Sequence, residues 1–144
     1  LLRALARTGR ADWHLDVVGK GPLAEPMRML AEELGISDRI AWHGHMPRQA
    51  AQDMFARSDI HVLSSLAEAH STVLWEAMAH GVPTIAFDHC GMHDSICDDC
   101  GVRVPMGDIE QMVAGLAEAI GRLAGNRRRV AELKAGTWHC ARRN

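Results

Sequence analysis

The sequence predicts an α/β domain: a Rossmann-like, doubly wound parallel sheet with helices on both faces. Three observations carry that prediction. Short apolar runs alternate with longer amphipathic runs along the whole chain. The run at 59–64 is mostly apolar, as expected of a strand covered by helices on both sides. Gly or Pro punctuates most junctions between the two kinds of run.

The elements follow in order. Residues 1–7 place Leu1, Leu2 and Leu5 beside Arg3 and Arg7, an amphipathic helix. A strand at 13–19 runs into the turn Gly19-Lys20-Gly21-Pro22. The next helix aligns Leu23, Met27, Leu30, Ala31 and Leu34 on one face and stops at Gly35, with Pro26 confined to its first turn. A strand at 39–44 precedes a helix opened by Pro47, with Ala51, Met54 and Phe55 inward. After the strand at 59–64 a polar loop over 65–70 leads to a helix over 71–80, stopped by Gly81. Strands at 82–87 and 101–105 follow, joined by a loop. A long helix over 108–123 repeats Met112, Leu116, Ala119, Ile120 and Leu123, and a final helix over 127–135 precedes a tail with Trp138, His139 and Cys140.

With 144 residues the chain makes a single domain, spanning 1–144, whose core needs no staples. A net charge of −2 gives no basic footprint, and 4% aromatic residues give no stacking platform, so no nucleic-acid partner is expected. The runs Arg127 to Arg129 and Arg142 to Arg143 read as solvated helix faces. No apolar stretch approaches the ~18 residues that span a bilayer. The four cysteines carry no secretory context, so a reducing, cytoplasmic setting is expected.

In a doubly wound sheet ligands bind beyond the carboxyl ends of the strands. The loops at Gly19, Gly44, 64–71 and 88–94 should therefore share one crevice. The densest signal there runs from Ser64 to Pro83, where Glu68 lies in a strand-to-helix loop and Glu76 eight residues on, inside the helix. Ser71, Thr72 and Val73 occupy the first turn between them. Their amides lack partners within the helix, and the helix dipole adds positive potential, so this end suits a diphosphate. Carboxylates so close to a diphosphate suit sugar and ribose hydroxyls instead.

The stretch resembles the E-x7-E segment of family-4 glycosyltransferases of GT-B fold, followed by their E-A-M-A-x-G-x-P continuation. Val18-Gly19-Lys20-Gly21-Pro22, Trp42-His43-Gly44-His45-Met46 and Ser58 to Ser65 match in register, and Cys90-Gly91-Met92-His93-Asp94 matches the usual Gly-Gly-x-x-Glu loop in part. The resemblance covers nearly the whole chain and implies the C-terminal, donor-binding half of a GT-B enzyme. By it, Glu76 holds the ribose hydroxyls and Glu68 contacts the donor sugar as the catalytic-site carboxylate. The amides of Ser71, Thr72 and Val73 cradle the diphosphate, the loop of Gly19 borders it, and His45 and Met46 face the base. Amides near Gly91 and Met92 approach the sugar.

The implied reaction moves a sugar from a UDP-, GDP- or ADP-linked donor to an acceptor hydroxyl with retention, in polysaccharide or glycolipid synthesis. It needs no cofactor and no metal, because protein donors stabilise the departing diphosphate. The family's first strand, its arginine-lysine pair and its N-terminal acceptor domain have no counterpart in the chain, so the fragment alone is expected to be inactive. In the full-length protein, peripheral attachment to the inner face of the membrane would come through the other domain.

Two other classes stay open. One is a non-catalytic module that binds a nucleotide sugar. The other is a zinc-stabilised interaction domain built on Cys90-x2-His93-x3-Cys97-x2-Cys100, whose last pair has the spacing of a zinc knuckle. A Cys97–Cys100 disulfide and reduced buried thiols are further readings of the same residues.

Overall fold

The computed structural model describes residues 1–67 and 71–142. Its elements are α1 (Leu2–Arg7), β1 (Leu15–Val18), α2 (Ala24–Glu33), a 3-10 turn (Ser37–Arg39), β2 (Ile40–Gly44), α3 (Arg48–Arg57), β3 (His61–Leu63), α4 (Thr72–Ala79), β4 (Thr84–Phe87), α5 (Gly91–Ser95), β5 (Gly101–Val104), α6 (Ile109–Ala124) and α7 (Arg127–Ala141). Every expected strand forms, trimmed at its ends.

All strand pairs are parallel, in two ladders: β1 with β2, and β3-β4-β5. The first pairs Leu15 with Ile40 and, after a bulge, Val18 with Gly44. In the second, Thr84 of β4 sits between His61 of β3 and Gly101 of β5. Strands β1 and β2 of the first ladder and β3 and β5 of the second are each paired on a single edge, and residues in or beside β1 and β3 (Leu15, Val17, Ile60, Val62) pack on one shared core.

The period-2 alternation of β4 sorts the helices into layers. Ile85 and Phe87 join Leu2 and Leu5 of α1, Leu116, Ile120 and Leu123 of α6, and Leu133 of α7. Ala86 joins Leu74 and Met78 of α4, Met92 and Ile96 around α5, Cys100, and Cys140 of α7. All four β4 residues are buried, which is why the run reads as apolar without a polar face. Fully burying a side chain of the size of Leu74 or Met78 contributes roughly 1.5–3 kcal/mol. Helix α6 starts at a capping box, in which the Asp108 carboxylate accepts from the Gln111 amide at 2.8 Å and the Gln111 side-chain oxygen accepts from the Asp108 amide at 3.0 Å. No helix among the described residues is long and apolar enough to cross a membrane.

Two expectations are corrected. The span after β4, expected as a loop, contains the five-residue helix α5, too short for a periodic signal. The final helix does not stop at 135: α7 continues to Ala141 and carries Trp138, His139 and Cys140. Gly136, inside the helix, is a contact point, because a Cβ there would overlap the Asp99 carbonyl. Thr137 is fully buried, its hydroxyl donating to the Lys134 carbonyl at 2.7 Å, and Leu133 and Cys140 lie on the same buried stripe. That stripe holds the last turns against the turn before β5.

Thr84 is polar and 0% exposed. Its hydroxyl hydrogen-bonds His61 Nδ1 at 3.1 Å, and the His61 ring meets Phe55 edge-on at 5.5 Å. Burial pushes the His61 pKa from the ordinary 6.5 down to about 4. The folded protein therefore keeps this ring neutral down to about pH 4, while the unfolded chain protonates it at about pH 6.5. Between those values the unfolded state binds the extra proton, so stability falls as pH drops through the window, by on the order of 3 kcal/mol in all. Thermal unfolding followed from neutral to acid pH should show this slope, and His61→Gln should flatten it. An unchanged slope in the variant would assign the acid sensitivity to other groups.

Candidate functional site

The turns after β1, β2, β3 and β4 leave the carboxyl ends of parallel strands. In the turn after β1, Gly19 adopts φ +129, a conformation that L side chains rarely take, and its amide donates to the Gly44 carbonyl at 2.7 Å. That bond draws the β1 turn against the end of β2, where His45 is exposed and Met46 half-buried. After β3, the Ser65 carbonyl accepts from His89 Nε2 at 2.9 Å, so the turn after β4 clips the loop after β3. His89 Nδ1 is buried and has no partner among the described residues.

Helix α4 supplies the centre of the site. Ser71 is its buried N-cap residue, in extended conformation and without a side-chain cap bond. The Leu74 amide turns back to the Ser71 carbonyl at 3.2 Å, whereas the amides of Thr72 and Val73 have no acceptor among the described residues. The eight residues of α4 bury Leu74, Ala77 and Met78. Glu76 therefore lies on the other side, four residues beyond Thr72, about 6 Å along the axis. Its carboxylate accepts from the Arg48 guanidinium at 3.0 Å, with Glu76 28% and Arg48 79% exposed. Arg48 opens α3, so this ion pair joins the β2 side of the crevice to the face of α4 that bears Glu76.

The structure thus brings Glu76, Thr72 and Val73 onto one short helix and places Gly19, His45 and Met46 in turns at the same ends of the sheet. Glu68 lies outside the described residues. The Met92 amide, which the resemblance places near the sugar, donates to the His89 carbonyl at 3.0 Å, and the side chain is buried in the core beside α4. The turn into a five-residue helix needs that amide. Arg48 and His89 are the two side chains that sequence reasoning missed. Each acts across segments far apart in the chain, and only the glutamate end of the Arg48 pair carries a motif.

The cysteine cluster is also redrawn. Cys90 is exposed, and His93 Nδ1 lies 2.7 Å from Asp88, so neither joins Cys97 and Cys100. Cys140 joins them instead, bonded to Cys97 in a disulfide. The Cys97–Cys100 disulfide is not formed: Cys100 is a free, buried thiol whose pKa burial raises. The signal was unreadable in the sequence because Cys140 lies 43 residues from Cys97 and needs α7 to reach it.

Elsewhere an open cleft of about 430 Å³ runs along β5 and α6, bordered by Val104, Gly115, Glu118, Arg122 and Arg129. It includes none of the crevice residues and gathers no nucleophile or acid–base pair. The crevice at the strand ends, by contrast, combines helix amides that have no acceptor among the described residues with a carboxylate one turn away. Helix N-termini at the carboxyl ends of parallel strands are where α/β domains commonly bind anionic ligands.

Residues 1–132 match the model of the glycosyl transferases group 1 family, and the chain belongs to that family. It is 37% identical over 126 residues to an exopolysaccharide phosphotransferase of Streptomyces coelicolor, covering 85% of this chain and 13% of that protein. It is 31% identical over 134 residues to the 2-deoxystreptamine glucosyltransferase of Streptomyces kanamyceticus, covering 92% of this chain and 33% of that one. The fold matches the pneumococcal O-GlcNAc transferase GtfA, solved in complex with UDP and GlcNAc, at a TM-score of 0.87 with 21% identity, over 98% of this chain and 28% of that one. The α/β, GT-B-type fold is therefore shared, and the chain spans a third or less of these proteins.

At the N-cap of α5, Cys90 takes φ 45 and ψ −134, a region suited to glycine, at the position where the resembling loop carries glycine. Holding a side chain there costs on the order of 1 kcal/mol. Cys90→Gly is therefore expected to raise the free energy of urea unfolding by roughly that amount, seen as a higher midpoint at unchanged slope. A lower midpoint would show that the freedom glycine adds to the unfolded chain outweighs the relieved backbone.

Proposed function

We propose that this chain is the donor-binding domain of a retaining glycosyltransferase, which moves a sugar from a nucleotide-diphosphate sugar to an acceptor hydroxyl in polysaccharide or glycolipid synthesis. The observation that carries the reading is the layout of α4. The amides of Thr72 and Val73, without an acceptor among the described residues, suit a diphosphate. Glu76, about 6 Å further along the helix, suits the ribose hydroxyls that a nucleoside diphosphate holds one unit away. The UDP and GlcNAc bound by GtfA support the same ligand class.

In this reading Glu68 contacts the donor sugar, and His89 holds its loop through the Ser65 carbonyl. The amides of the α4 first turn stabilise the charge that develops on the departing diphosphate. Arg48, now paired with Glu76, yields part of that contact to the ribose and turns toward the phosphates. The single-edged strands β1 and β3 suit a further parallel strand between them, completing one doubly wound sheet. Acceptor binding falls to the remainder of the longer protein.

Calorimetric titration with UDP, GDP and ADP, beside their sugar conjugates, tests the reading. One nucleotide should bind. Glu76→Ala should weaken it by ~10–100-fold, the cost of losing hydrogen bonds to a charged acceptor. Nucleotide affinity that is unchanged in Glu76→Ala would overturn the assignment of the ribose site.

A further inference from the structure

We propose that Cys97, Cys100 and Cys140, once reduced, form a three-thiolate site for a zinc-like divalent cation. Their sulfurs all lie within 4.8 Å of one another. Cys97 and Cys100 sit on the tight turn between α5 and β5, closed by the Cys100 and Gly101 amides donating to the Cys97 carbonyl at 3.0 and 3.2 Å. The Cys97 amide donates to Cys100 Sγ at 3.2 Å, and the two sulfurs are 3.2 Å apart. An amide aimed at a sulfur is the outer-shell support that a metal thiolate needs.

The third sulfur comes from α7, and α7 is fitted to deliver it. Arg129, Leu133, Gly136 and Cys140 recur at helical spacing on one stripe. Arg129 Nη2 donates to the Asp98 carbonyl at 2.7 Å, Leu133 is 0% exposed, and Gly136 lets the helix backbone press on Asp99. Cys140, one turn on, then reaches Cys97 and Cys100. Cys100 and Cys140 are 0% and 7% exposed, inside an apolar cluster with Leu74, Met78 and Met92.

The separation of the backbones favours a bridging ion over a direct bond. The Cα atoms of Cys97 and Cys140 are 7.3 Å apart. That exceeds the roughly 4.4–6.8 Å usual for disulfides. Two thiolates bound at ~2.3 Å to one tetrahedral ion stand ~3.8 Å apart, not ~2 Å, and so suit more widely spaced backbones. The Cys97–Cys140 disulfide is then the oxidised, metal-free form. A dithiol reductant supplies two electrons and two protons, breaks the sulfur–sulfur bond and becomes a disulfide itself. The cation next displaces three thiol protons to form three metal–sulfur bonds, and water takes the fourth position.

The test uses the full chain, reduced with excess dithiol, desalted anaerobically and titrated with Co2+ and then Zn2+. One ion per chain should bind, with a thiolate-to-cobalt charge-transfer band that zinc abolishes. Zinc should also protect three of the four cysteines from alkylation, leaving Cys90 reactive. Cys140→Ser, Cys97→Ser and Cys100→Ser should each weaken zinc binding by more than the ~10–100-fold typical of losing an outer-shell partner. Cys90→Ser should bind as before. Alkylation of the unsubstituted chain keeps the test decisive if a serine variant fails to fold. The proposal is overturned if the reduced chain binds no ion, if zinc protects none of the three thiols, or if Cys140→Ser binds zinc unchanged.

Discussion

The arrangement depends on β4 being buried on both faces. A strand covered on one side tolerates a polar alternate row, but β4 has no such row, and each of its four residues has to meet a packed surface. Ile85 and Phe87 require α1 and α6 on one side. Ala86 admits α4, α5 and α7 on the other, being small enough for them to approach. The one polar member, Thr84, is tolerated because His61 hydrogen-bonds its hydroxyl, while burial keeps the His61 ring neutral. A single strand therefore fixes the layers and sets the acid sensitivity of the core.

The same strand positions the crevice. Its carboxyl end delivers the 88–91 turn, from which His89 reaches back to the loop after β3. The end of β3 launches α4, and α4 separates its tasks by face. Leu74 and Met78, one turn apart, are held in the core, and that packing fixes the helix axis and the direction of its first amides. Glu76, midway between them in sequence, is turned out toward Arg48. An exposed ion pair of this kind contributes at most about 1 kcal/mol, so its consequence is orientation rather than stability.

Legibility in the sequence followed the range of the interactions. Strands and long helices were readable because periodicity and capping are local: the Asp108–Gln111 box and the apolar run at 59–64 announce themselves within a few residues. Helix α5 was not, since five residues carry no period. The end of α7 was misplaced because its last turns rest on a distant contact, the Asp99 carbonyl pressed against Gly136. The Arg48–Glu76 pair and the Cys97–Cys100–Cys140 cluster needed three-dimensional juxtaposition of segments that carry no shared motif. The motif supplied Glu76 and the α4 first turn, whereas their partners came from the fold.

That division by face also bears on how the two ends of the molecule communicate. The thiol cluster packs behind Leu74 and Met78, on the side of α4 opposite Glu76. A change in its bonding reaches the crevice through α4 as a body and through Met92, which packs in the same cluster and whose amide donates to the His89 carbonyl. Well-packed helices move as units rather than bending around one residue. Coupling would therefore appear as a common change in everything α4 carries, the Thr72 and Val73 amides together with Glu76. Local disturbance of the nucleotide site alone would have to arise on the other face, at Arg48 or Gly19.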